Sequence, residues 1–433
     1  MKTTVKRTLL PLLAVCLLHA VYSLDFTAFA PGLSDAFSSL ADKNAGVASF
    51  YSLLIPAGGR AEGLGTAYAG IADDTSFFDY NPAASALLKN TELSLFHNAW
   101  IADSALETLA GTIRLGHVGL GSQIKVFYVP FTEYDYLGSR VAKSYYSETV
   151  GTLNASYHFF PGYTFKGIAA GINFKTAWRA IPDYTDKLTG ALISGSGRAQ
   201  SALALMADVG LMMQFNVFKF YHARDPNVTV GISFINVGAA FTGFGSASGV
   251  TLDNPLPTAM TIGASWRIIK PLTFAFGFQQ PFNMFNIKAY QMWTLNAGVI
   301  VHITSFVSAL GGFQIKGAHP RFTLGGEFEI KRVRFTVSYT LDLTSSLNPV
   351  NRFSLSAKIN FGDRGRAHIQ ERIDTLYNEG LEQFACGNFS EAITIWKEAL
   401  ALDPHFSPVK NGIKSAERQL QFDQNIHDAQ LFD

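Results

Sequence analysis

Between residues 91 and 361, apolar and polar side chains alternate with a period of two, which is the spacing of a strand and not of a helix. Val333, Phe335, Val337, Tyr339 and Leu341 oppose Arg334, Thr336, Ser338, Thr340 and Asp342. Phe353, Leu355, Ala357, Ile359 and Phe361 oppose Arg352, Ser354, Ser356, Lys358 and Asn360. Trp293, Leu295, Ala297, Val299 and Val301 oppose Thr294, Asn296, Gly298 and His302, with Ile300 the apolar exception on the polar face. Fourteen such segments lie near 91–99, 105–115, 117–129, 147–160, 166–180, 201–216, 227–239, 258–268, 272–280, 293–303, 306–316, 321–331, 333–343 and 351–361. Most are long enough to cross a bilayer, for which a tilted strand needs about 9–11 residues; strands of soluble sheets usually have about five or six. An even number of antiparallel strands, apolar on one face and mixed on the other, predicts an all-β transmembrane barrel of about 14 strands over residues 89–361.

The connections give a second line of argument. Those after strands 2, 8, 10 and 12 are short, at Gly116, Ile269–Pro271, Thr304–Ser305 and Arg332. Those after strands 3, 5, 7 and 9 are long, at Pro130–Tyr146, Ile181–Gln200, Ala240–Pro257 and Pro281–Met292. Short inner turns alternating with long outer loops are expected of an outer-membrane barrel, and fourteen strands leave both barrel ends facing the periplasm. Val217–Pro226, after strand 6, is longer than this parity expects.

Composition agrees. The 433 residues are 48% hydrophobic but only 15% charged, against roughly 25% charged in an ordinary soluble domain. High apolar content excludes a disordered chain. Two cysteines exclude a disulfide-built scaffold, and a net charge of +1 gives nucleic acid nothing to bind. Residues 1–23 read as a secretory signal peptide: Lys2, Lys6 and Arg7 precede the apolar run Leu9–Leu18, and Val21-Tyr22-Ser23 suits a cleavage site.

Residues 58–88, GGRAEGLGTAYAGIADDTSFFDYNPAASALL, are small and turn-prone, with five glycines. Their pattern resembles the FadL family of outer-membrane hydrophobic-compound channels and its PorV-like branch. There a Gly-Arg-Ala element is followed by Ala-Asp-Asp or Ala-Asp-Asn and then Asn-Pro-Ala. The matches here are Gly59-Arg60-Ala61, Ala72-Asp73-Asp74 and Asn81-Pro82-Ala83. The resemblance implies that residues 24–88 form an N-terminal plug inside the barrel and that a hydrophobic ligand binds in the lumen. It also implies a lateral exit at a kinked third strand, for which Gly119 and Gly121 are candidates. The motif itself reads as architectural, with Asn81-Pro82-Ala83 setting the lead from plug into the first strand.

After Gly362 the object changes. Of the 70 residues from Arg364 to Asp433, 18 are charged, about twice the density of the remainder, and the period becomes helical. Residues 366–433 are expected to form a small periplasmic α-helical domain. Gly380, Phe384, Gly387, Phe389, Ala392, Trp396, Ala399 and Pro404 resemble one tetratricopeptide repeat (TPR), which implies two helices crossing at Gly380 and Ala399 and a core built on Trp396. Residues 407–422 would add a third, capping helix. One repeat cannot bury its own face, so a further surface or a periplasmic protein partner is expected to cover it.

No catalytic or metal constellation stands out. The dipeptide Gly-Lys never occurs, no His-Glu-x-x-His is present, and Ala247 stands where a hydrolase elbow needs serine. No enzyme activity and no cofactor are expected. The resemblance implies passive outer-membrane uptake of hydrophobic molecules such as long-chain fatty acids, without an energy source of its own. The alternative is a PorV-like scaffold or shuttle that binds other proteins. Transport predicts an apolar lumen of ligand size; a scaffold predicts a blocked one.

Overall fold

The structure, a computed structural model, describes residues 48–430 apart from 101–102, 163–164, 187, 222–224, 243–254, 285, 287–291, 318 and 343–350. The expected signal peptide and residues 24–47 of the expected plug lie outside the described residues. Fourteen strands close into one barrel in which every neighbour is antiparallel and β14 returns to β1. They are β1 (Glu92–Ala99), β2 (Ala105–Leu115), β3 (Val118–Tyr134), β4 (Arg140–Phe159), β5 (Phe165–Ala180), β6 (Ala202–Phe215) and β7 (Val228–Thr242), followed by β8 (Ala259–Ile269), β9 (Leu272–Pro281), β10 (Thr294–His302), β11 (Val307–Lys316), β12 (His319–Ile330), β13 (Val333–Asp342) and β14 (Arg352–Asn360).

The period of two is realised as an inside and an outside. In β1, Glu92, Ser94, Phe96 and Asn98 are buried inward while Leu95 is 56% exposed. In β12, Leu324 faces out and Thr323 and Glu327 face in. The exterior is thus a band of exposed Leu, Ile, Val and Phe, the surface of a barrel that sits in lipid.

β3 runs further than the sequence pattern predicts. The pattern has Pro130 open a long loop, but β3 and β4 continue as a paired hairpin to Tyr134↔Arg140. β2 stops pairing with β3 at Ala105↔Tyr128. Pro130 therefore lies on a one-sided edge, where its missing N–H costs no ladder bond.

Residues 48–91 run through the lumen. An added Cβ on Gly70 would lie 2.6 Å from the Ala264 nitrogen of β8, and one on Gly65 2.7 Å from the Phe313 nitrogen of β11. Asn81 meets Gly210 of β6, Pro82 meets Gly171 of β5, and Ser85 meets Gly119 of β3. Only a segment inside the cylinder can touch walls on all these sides. Ile300, the apolar exception in β10, is buried with Leu310 in one cluster with Leu64, Phe77 and Phe78. The short helix α1 (Gly59–Gly63) belongs to this segment, and α2 (Ser196–Gln200) lies in the connection after β5.

Beyond β14 come α3 (Arg366–Ala385), α4 (Phe389–Leu402) and α5 (Ser407–Gln430). Trp396, 1% exposed, is their centre. Its Nε1 donates to the Tyr377 carbonyl at 3.2 Å, and its ring fills the space left by Gly380 and Gly412. Phe384 lies 5.8 Å from it, ring to ring, and Phe389 lies 5.2 Å from Phe384. Ala392 and Ala399 are fully buried. Gly387 turns the chain between α3 and α4 at a φ of 83°, and Pro404 lies in the connection from α4 to α5.

Candidate functional site

The lumen segment is held by charge. Gly58 and Gly59 both have positive φ, which turns the chain so that the Gly59 N–H donates to Ser354 Oγ. Arg60 is then aimed at β12: its Nε and Nη2 donate to Glu327 at 2.8 and 2.5 Å, and Nη1 pairs with Asp73. Two turns of the motif, far apart in pattern, thus meet at one guanidinium. Asp74 accepts from the Ser76 N–H and from the Tyr68 hydroxyl and stands 4.0 Å from Lys358 of β14. Glu62 pairs with Arg352 at 2.8 Å and accepts from Thr340. Asp79 takes the buried Lys125 ammonium at 3.1 Å. Ala61 and Ala83 are buried within the packed segment.

Asn81 acts deeper than the lead into β1. Its side chain accepts from the Ala83 N–H and donates to the Leu211 carbonyl of β6, while Asn154 of β4 donates to the Pro82 carbonyl. Gly119 and Gly121 also find another use than a kink. β3 pairs without a break through both, on the β2 side and the β4 side. Gly119 admits the Ser85–Ala86 backbone and Gly121 admits the Phe78 ring. The wall is irregular elsewhere: pairing shifts between Ala207 and Val209, where Asp208 holds Lys175 at 2.7 Å and the Asn236 N–H.

The sequence reading missed the wall partners Lys125, Lys175, Asp208, Glu327, Arg352 and Lys358 as a set. Their signal was present: charges on the inward faces of strands in a chain with few charges.

Two further regions complete the lumen. At the loop end two apolar clusters sit among buried polar groups: Phe50 packs with Val150, Ala204, Met206 and Leu256, and Ile55 packs with Leu106 and Phe127, while Glu148 accepts from the Ser52 N–H and Lys125 donates to the Ile55 carbonyl. At the opposite end, where α3–α5 sit, a polar cavity of about 1080 Å³ opens between the lumen segment, the barrel rim and α3. Arg366, Gln370, Asp374 and Asn378, one stripe of α3, face it. Asp225, in the connection after β6, loses solvation there, yet its hydrogen bond and ion pair with Lys89 hold its carboxyl below the ordinary range. Burial pushes the Arg366 guanidinium below its usual value, with Asp363 opposing. Among the described residues, no group of three His, Cys, Asp or Glu side chains is placed to hold a metal ion.

These features define a class: a transmembrane β-barrel whose lumen is occupied by its own N-terminal segment. The chain belongs to the uncharacterised protein family UPF0164, whose model matches residues 27–364. One UPF0164 protein of Treponema pallidum (strain Nichols) is 28% identical over 404 residues, covering 90% of this chain and 87% of its own length. Another is 26% identical over 398 residues, covering 88% and 78%. Among solved structures, the Pseudomonas putida toluene transporter TodX aligns with a TM-score of 0.47 at 11% identity, covering 70% of this chain and 96% of that one. The CymD monoaromatic hydrocarbon channel aligns at 0.45 and 12% identity, covering 70% and 97%. A Pseudomonas aeruginosa FadL homologue aligns at 0.39 and 11% identity, covering 70% and 98%.

Proposed function

We propose that this protein is an outer-membrane channel of the FadL type that takes up hydrophobic molecules, with fatty acids as the ligand class, and that residues 24–88 are its plug. The supporting observation is the two apolar clusters at the loop end of the lumen. Phe50 and Ile55 are their members from the lumen segment, and both are almost fully buried. A hydrophobic ligand could take the place of these side chains against the same apolar wall residues. The ion pairs hold the plug against the wall in the absence of ligand. A filled lumen alone would also suit a PorV-like scaffold; the apolar clusters favour transport. On this reading residues 1–23 direct export, the loop end faces outward, and α3–α5 lie in the periplasm as a TPR-like unit able to meet a protein partner.

The test is a fatty-acid series titrated against the refolded protein. Affinity should rise with chain length, since each buried CH₂ contributes about 0.8 kcal/mol, and Phe50→Ala should strengthen binding by vacating its place in the apolar cluster. Affinity independent of length and of Phe50 would contradict the proposal.

A further inference from the structure

Two guanidinium groups share one carbonyl at the helix-end cavity. Arg114, near the end of β2, donates Nη1 to the Leu88 oxygen at 3.3 Å and Nε to the Gly116 oxygen at 2.9 Å. Arg366, the first residue of α3, donates Nη2 to the same Leu88 oxygen at 3.5 Å and to the Lys89 oxygen. Neither is ion-paired with a carboxylate among the described residues. Nη1 of Arg366 is buried without any partner.

Five of the acids that line the cavity are committed elsewhere, while Glu371, Asp374 and Asp403 of the helical domain also face it. Asp73 pairs with Arg60, Glu92 with Lys358, Asp225 with Lys89 and Glu329 with Arg334. Asp363 accepts from the Gly365 and Ala367 N–H groups. Two like charges and an unused guanidinium donor at one place are costly, and an acceptor with several oxygens relieves both costs together. Guanidinium groups suit such an acceptor because they offer paired donors in one plane.

We propose that the helix-end cavity binds an oxyanion, a phosphate or carboxylate group, clamped between Arg114 of the barrel and Arg366 of the helical domain. The site is composite, so its occupant ties α3 to the barrel rim. A free anion and the headgroup of a lipid offer the same chemistry. This inference does not depend on the uptake reading, because it concerns the opposite end of the lumen and needs no passage of ligand.

The full chain, purified in non-ionic detergent without other oxyanions, is titrated calorimetrically with inorganic phosphate and separately with a short-chain phosphatidylglycerol. Protease cleavage between Phe361 and Arg366 is followed in parallel. Binding of either probe should slow this cleavage at least tenfold. Arg366→Gln should weaken binding at least tenfold and remove the protection, Arg366→Lys should retain part of both, and Lys331→Gln should change neither. Arg114→Gln should act like Arg366→Gln; if it fails to insert, the Arg366 pair decides, since that residue lies outside the barrel wall. Binding of phosphate alone identifies a free-anion site, and binding only of the lipid identifies a headgroup site. The proposal is overturned if neither probe binds, or if binding is unchanged in Arg366→Gln.

Discussion

Arg60 shows what one side chain can decide. It joins the lumen segment to Glu327, 267 residues away, and both are almost fully buried. Removing one partner of a buried pair leaves an uncompensated charge and typically costs about 3–5 kcal/mol. Arg60→Ala should therefore lower the stability of the refolded protein by about that amount in urea unfolding. Arg60→Met combined with Glu327→Leu should recover part of the loss, because Glu327 is then not stranded while Asp73 still lacks its partner. At the helix end, Asp363 offers a pH test. The Ala367 N–H and then the Gly365 N–H hold its carboxyl below its ordinary value of 3.8. A depressed value means that its hold on the start of α3 is complete above pH 3.8 and fades as the pH falls through the folded-state value. Protease access to residues 361–366 should be constant from pH 7 to pH 5 and rise only below about pH 4. At this scale the sequence told half the story. Gly59-Arg60-Ala61 stood out by its pattern, but Glu327 did not, because nothing local links a plug residue to an inward position on a distant strand.

Strands were the most legible elements because their alternation is imposed by lipid on one side and polar packing on the other. β11 and β13 lie within a residue or two of their expected bounds for that reason. The β3–β4 hairpin was misread because proline is a reliable breaker only where both edges are paired, and strand length beyond the membrane is not written in hydrophobicity. Gly119 and Gly121 are candidates for a kink in the third strand, but β3 pairs without a break through both, and Gly119 admits the Ser85–Ala86 backbone. The helices were legible through Trp396 and the small residues around it. Trp396→Ala should cost about 3–5 kcal/mol, and so small a unit rarely holds more than that in reserve. Residues 366–430 should become protease-sensitive as a unit while the barrel keeps its heat-resistant migration on a gel. A helical unit that stays resistant would mean that Trp396 does not support its core.

On the scale of the whole molecule, three layers of chemistry follow one another along the barrel axis. Apolar clusters lie at the loop end, an ion-paired insert with its own apolar core lies in the middle, and a polar cavity roofed by α3 lies at the helix end. The insert is what makes the molecule more than a cylinder, since Glu62 with Arg352, Arg60 with Glu327 and Asp79 with Lys125 fix it to opposite parts of the wall. The most direct measurement of this account is ion conductance across planar bilayers, comparing the natural chain with a variant carrying Arg60→Gln and Glu62→Gln. The natural chain should be closed almost all the time, and the variant should show frequent stepwise openings as the insert loosens. Equal conductance in the two, whether both open or both closed, would contradict the claim that these ion pairs seal the lumen.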